Sequence, residues 1–271
     1  MNIVLDSLKF YKLKNENTAR ILFVLVYAVF LAFYMFPVGV PVDIEAFTNA
    51  LMDQSAASLP TLSGSNILNF ASQIVLTLVT AFFSLIYANC HVMESEGFPD
   101  KKAVMSMIRA IPKLAGFLLL MLVPVVVSSV FAFIPLIYLF YALFFSPMLI
   151  IEGKRGIVES IMESFKSTKG IKLSIFISQI MLYFLMNLPI TLFNTAFYYI
   201  GNSGTLAEYL VMSFLRAAYV LMGGRLIGNF YILAIKNPGK LKNGKIDMMQ
   251  KYNQTDENAD ETSDNQDQDE K

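Results

Sequence analysis

The stretch LAGFLLLMLVPVVVSSVFAFIPLIYLFYALFFSPMLII, residues 114–151, runs 38 positions without a charged side chain. A hydrocarbon core about 30 Å thick is crossed by a helix of about 20 mainly apolar residues. The run is therefore too long for one helix and suffices for two short ones. Pro135, inside FAFIPLIY, marks the expected hinge, because proline fits a helix start and breaks a helix interior. This reading makes the chain a membrane protein, and the rest of the sequence agrees with it.

Working outward, four further apolar runs of spanning length appear, at 21–40, 67–88, 171–193 and 206–235. With 114–133 and 135–151 they make six expected spans. The fold class is all-α, a polytopic six-helix protein with a segment 1–20 before the spans and a tail 236–271 after them. Composition concurs: 55% of the 271 residues are apolar and 15% charged, with mean hydropathy +0.54. Soluble domains have roughly 45–50% and about 25%. One cysteine, Cys90, excludes an internal disulfide. The first 20 residues are charged and show no cleavage site, so the first apolar run is expected to stay in the membrane.

Lysine and arginine set the expected orientation. They cluster before span one (Lys9, Lys12, Lys14, Arg20), after span two (Lys101, Lys102, Arg109, Lys113), after span four (Lys154, Arg155, Lys166, Lys169, Lys172) and in the tail from Lys236 onward. The other three connections, 41–66, 131–135 and 194–207, have none. Basic loops stay in the cytoplasm, which predicts both termini inside a cell membrane, with bacterial character.

Each odd-numbered span follows a short amphipathic stretch. The expected apolar stripes are Val4, Leu8 and Tyr11; Val104, Ile108 and Ile111; and Ile157, Ile161 and Phe165. Such helices lie against anionic lipid headgroups. An interfacial helix followed by a hairpin, used three times, is one reading. Basic, partly amphipathic loops of the ordinary kind are the other.

At FFSPMLIIEGKRGIVESIMESFKSTKGIKLSIF, residues 144–176, the chain resembles a group of bacterial six-span proteins. The group includes the YciC-like family and the membrane domain attached to some glycerophosphodiester phosphodiesterases. The matching positions are Pro147, Glu152, Gly153, Ser160, Ser164, Phe165, Thr168, Lys169 and Gly170, with NFYILA closing span six. The resemblance implies the six-span architecture. It implies no activity, because the phosphodiesterase catalytic domain is not in this sequence.

Chemistry is sparse. His91 is the one histidine, so a Ser-His-Asp or Cys-His arrangement would have to use it. Cys90, His91, Glu94 and Glu96 have no zinc spacing. No catalytic residue, metal site or cofactor is expected, and no enzyme. Asp43, Glu45 and Asp53 in the outer loop read as scattered and solvated. The acidic tail 253–270 reads as a disordered solubilising segment, with docking of a basic partner or weak calcium binding as the alternatives. Nucleic acid is not an expected partner, since topology accounts for the basic residues.

Inside the spans lie Gln73, Gln179, Asn187, Arg216 and Arg225. Span six is 30 residues, about 45 Å as a helix, so about ten residues must project from the core. Arg225 is expected to sit at the interface and snorkel there as an anchor. Arg216 stays deep, and an intramembrane charge is a functional-site hypothesis by default. It could hold a lipid phosphate or an anionic substrate, or clamp to Gln179 or Asn187, which lie near one helix face. At 100° per residue the two arginines point to opposite faces. Glu208 is the nearest acid in sequence to Arg216, and Gly223, Gly224 and Gly228 include a GxxxG that allows close helix approach. The leading expectation is a membrane scaffold that binds anionic lipid or a partner membrane protein. A small transporter using Arg216, Gln179 and Asn187 is the alternative.

Overall fold

The computed structural model describes residues 2–13, 15–42, 63–129 and 134–238. The outer-loop acids Asp43, Glu45 and Asp53 and the acidic tail lie outside these. The described residues contain helices and no strand. In chain order they are α1 (Asn2–Ser7), α2 (Glu16–Met35), α3 (Gly64–Ser95), α4 (Asp100–Ser129), α5 (Ile134–Ala142), α6 (Ser146–Glu152), α7 (Ile157–Ser167), α8 (Lys172–Tyr199) and α9 (Leu206–Tyr231). Six helical segments are long and apolar enough to cross a membrane: Glu16–Met35, Gly64–Ser95, Asp100–Val125, Pro135–Glu152, Lys172–Tyr199 and Leu206–Lys236.

Two compact units divide the chain, Met1–Asn229 and Phe230–Lys271. In the second, the described part is the last two residues of α9, a π-helical turn, Ile232–Lys236, and residues 237–238. In the first, α3 packs on α2 and α4, while α6 is enclosed by α3, α4 and α7. Helix α9 lies along α2, where Tyr34 stacks on Tyr209 at 6.0 Å and Phe23 meets Phe214 edge-on at 5.2 Å. It also lies along α3, where its glycines take the place of side chains. A Cβ on Gly224 would stand 2.5 Å from the Ser84 carbonyl oxygen, and one on Gly228 would stand 2.9 Å from the His91 ring. The GxxxG therefore has a partner helix, and the backbones are as close as glycine permits.

Pro135 lies at a helix start as expected, and the other prolines divide. Pro135 begins α5 and Pro147 begins α6, whereas Pro112 and Pro124 sit inside α4 and Pro189 inside α8. The fourth span is broken between Ala142 and Ser146. A break at this depth frees backbone groups that an apolar surround cannot satisfy. Side chains of α7 and its cap close the gap. Ser164 Oγ donates to the Ala142 carbonyl at 2.9 Å and accepts from the Phe145 amide at 3.1 Å, and Thr168 Oγ1 donates to the same carbonyl at 3.2 Å. Ser164→Ala leaves the buried Phe145 amide without its acceptor. The expected cost is about 1–3 kcal/mol, read as a lower melting temperature in detergent, with Ser164→Thr closer to wild type.

On α7 the face packed inward is Ser160, Ser164 and then Thr168, all buried; the expected stripe of Ile157, Ile161 and Phe165 is half-buried beside it, and Val158 and Met162 are exposed. In α4 the inward face is Ala103, Met107 and Ala110, and the expected stripe of Val104, Ile108 and Ile111 lies outside it. The amphipathic stretch before the third span is not a separate helix, because α4 runs unbroken from Asp100.

At the opposite end of the helices, the exit of α2 is laced to the start of α3. Asn66 Nδ2 donates to the carbonyls of Val40 and Pro41 at 3.0 and 3.2 Å, and Asn69 Nδ2 donates to that of Val38 at 3.2 Å. Gly39, with φ +75°, allows the chain to turn there.

Candidate functional site

Two polar constellations lie at the end of the first unit that carries the amino-terminal segment. The first surrounds Arg225, whose side chain is only 8% exposed. Its Nε donates to Asp6 Oδ2 at 3.2 Å and its Nη1 to the Lys12 carbonyl at 2.8 Å. Asn229, one turn further along α9, donates from Nδ2 to the same Asp6 oxygen at 3.0 Å. Its amide nitrogen must face that carboxylate, so its Oδ1 faces His91 Nε2 at 2.8 Å, and His91 is the donor there. Tyr87 donates its hydroxyl to the Phe10 carbonyl. The node thus pins residues 2–13 onto α3 and α9. Partial burial raises the proton affinity of Asp6. The hydrogen bonds from Asn229 and Arg225 and the guanidinium charge outweigh it, so the carboxyl is held below its ordinary value.

This corrects the expectation for Arg225. The residue does not snorkel to solvent; the partly exposed Asp6 carboxylate and a backbone carbonyl take its donors.

The residues expected near Arg216 are not drawn together. Arg216 is half-buried and has no hydrogen bond or ion pair among the described residues. Asn187 donates to the Tyr183 carbonyl of its own helix at 3.0 Å. Gln179 is half-buried on α8. Glu208 turns away from Arg216, accepting from the Gly204 amide at 2.6 Å at the start of α9.

The second constellation is an open groove of about 690 Å³ between the first turns of α4 and the end of α6. Lys101, Lys102, Arg109 and Lys113 line it with Met93, Met105, Ile150 and Ile151. All four cations are exposed. Lys101, Met105, Arg109 and Lys113 recur every four residues, which sets them along one helix face. Lys102 Nζ lies 3.5 Å from the Phe98 ring centroid, a cation–π contact at the rim.

The nearby acids point elsewhere. Asp100 accepts from Thr18 Oγ1 at 2.6 Å, and it borders a separate hollow with Glu94. Glu152, the one carboxylate lining the groove, holds Lys154 Nζ at 2.7 Å. The start of α4 is itself fixed. Buried Asn89 donates to the Ala103 carbonyl at 2.7 Å and to Ser106 Oγ at 2.9 Å. The cations therefore stand on a rigid helix.

Among the described residues no three histidine, cysteine or acidic side chains gather at one point. Cys90 is buried. No family model, curated protein or solved structure matches the chain. Its function must be argued from the two constellations.

Proposed function

We propose that the protein is a non-catalytic membrane scaffold that holds anionic lipid at its cytoplasmic face, with the groove beside α4 as the site. The observation that carries this reading is the set of four exposed cations that share a groove with methionine and isoleucine and whose neighbouring acids have other partners. Cations attract anionic headgroups by about 1 kcal/mol each near a membrane surface. Apolar lining accepts the part of a lipid below its phosphate. The excess of basic residues at this end supports a cytoplasmic location for it by the positive-inside rule. Val104, Ile108 and Ile111 on α4, and Val158 and Met162 on α7, face outward, where a bilayer would cover them. Transport through Arg216 has less support, since no hydrogen bond joins it to Gln179 or Asn187.

Native mass spectrometry of the detergent-purified full chain tests this. Wild type is expected to retain phosphatidylglycerol over phosphatidylcholine. Replacing Lys101, Lys102, Arg109 and Lys113 together by glutamine is expected to abolish that retention, and Arg216→Gln is expected to keep it. Loss of lipid in Arg216→Gln alone would move the site into the bundle and put transport first. Equal retention of both lipids by wild type would overturn the anionic-lipid site and leave a protein partner as the scaffold's object.

A further inference from the structure

We infer that the groove selects a lipid whose headgroup is a terminal phosphate monoester over lipids linked through a phosphodiester. This rests on the anionic-lipid reading above and sharpens it. A diester phosphate carries one charge and is esterified on two sides. A terminal monoester carries up to two charges and three unesterified oxygens, and its second pKa is about 6. The groove is built for the larger charge. Its lining holds four cations and one carboxylate, Glu152, which pairs with Lys154 outside the lining, while Asp100 borders a different hollow. One negative charge would leave most of that field uncompensated.

The spacing says which residues make contact. Arg109 and Lys113 are one helical turn apart, about 6 Å along the axis. They can close on a single phosphate, the arginine with two parallel donors and the lysine as a point charge. Lys101 and Lys102 lie about 10–12 Å back from Arg109 along the axis. They supply field rather than contact, and that field favours loss of the second proton from the bound phosphate. The occupant is a lipid and not free phosphate because exposed Met105 and half-buried Met93 offer apolar surface in the same groove. These side chains have nothing to offer an inorganic ion, and they suit glycerol and the head of an acyl chain.

The test titrates the detergent-purified full chain with phosphatidic acid and with phosphatidylglycerol of identical acyl chains, reading bound lipid by native mass spectrometry. At about pH 7.5 the phosphate monoester is expected to bind roughly tenfold more tightly, the scale of one added charge-assisted contact. At about pH 5, where the headgroup regains its proton, the preference is expected to shrink towards parity. The pair Arg109→Gln and Lys113→Gln is expected to erase the preference at the higher pH, and both residues are exposed.

Equal binding of the two anionic lipids, each above phosphatidylcholine, would overturn the monoester selectivity and leave the anionic-lipid reading intact. Binding of neither above phosphatidylcholine would overturn both. Displacement by millimolar inorganic phosphate would assign the site to a soluble phosphate and overturn the lipid assignment. A preference that survives the double substitution would place the selectivity outside this groove and overturn the inference.

Discussion

Replacing Gly224 by alanine is expected to cost about 3 kcal/mol or more, at the upper end of what overpacking a close contact costs. The new Cβ would stand 2.5 Å from the Ser84 carbonyl oxygen and 3.1 Å from Tyr87 Cβ. The first is backbone, so α3 and α9 would have to separate. Separation also pulls Asn229 away from His91. The neighbouring glycine supplies the control. A Cβ on Gly223 meets nothing nearer than Ser84 Oγ at 3.8 Å, an ordinary contact, and alanine is the better helix former by up to about 1 kcal/mol. Gly223→Ala is therefore expected to be neutral or slightly stabilising. Thermal unfolding in detergent should separate the two by roughly 10 °C. Equal melting temperatures would mean that α9 does not approach α3 as closely as described.

The second large effect concerns the Asp6–Arg225 pair, and it is asymmetric. Asp6→Ala strands a guanidinium whose side chain is 8% exposed, whereas Arg225→Met leaves a carboxylate that is 38% exposed and can be hydrated. Stranding a fully buried charge costs about 3–5 kcal/mol, and the pair's partial exposure lowers this to about 2–4 kcal/mol for Asp6→Ala. Arg225→Met is expected to cost clearly less, and the double variant should recover much of the Asp6→Ala loss. Equal losses in the two single variants would contradict this burial argument. The pH dependence has a definite sign. The folded carboxyl lies below its ordinary value, so its contribution is present above the unfolded pKa of about 3.9 and is lost as pH falls through the folded value. The stability gap between wild type and Asp6→Ala should narrow below about pH 4.

The helices were legible because length and charge decide them. Runs such as 114–151 admit few readings, and proline fixed where the fourth span begins. The break after Ala142 was not legible. It depends on Ser164 and Thr168, which stand out in sequence but reveal their hydrogen-bond partners only when α7 folds back. Asp6 lies in an unremarkable amphipathic stretch, and nothing local announces an arginine 219 positions away. The groove was hidden for a different reason. Basic residues that orient a membrane protein and basic residues that hold a ligand look identical in sequence. They part only when the structure shows which acids are already engaged.

The node around Arg225 also orders events during biosynthesis. Asp6 is made before Arg225, which follows 219 residues later. At roughly 5–20 residues per second this delay is about 10–45 s. Through that interval residues 2–13 lack their final partner, while the earlier apolar helices are made behind them. The clasp between α1 and α9 closes only once α9 has been made. A chain stopped before α9 leaves residues 2–13 unfastened.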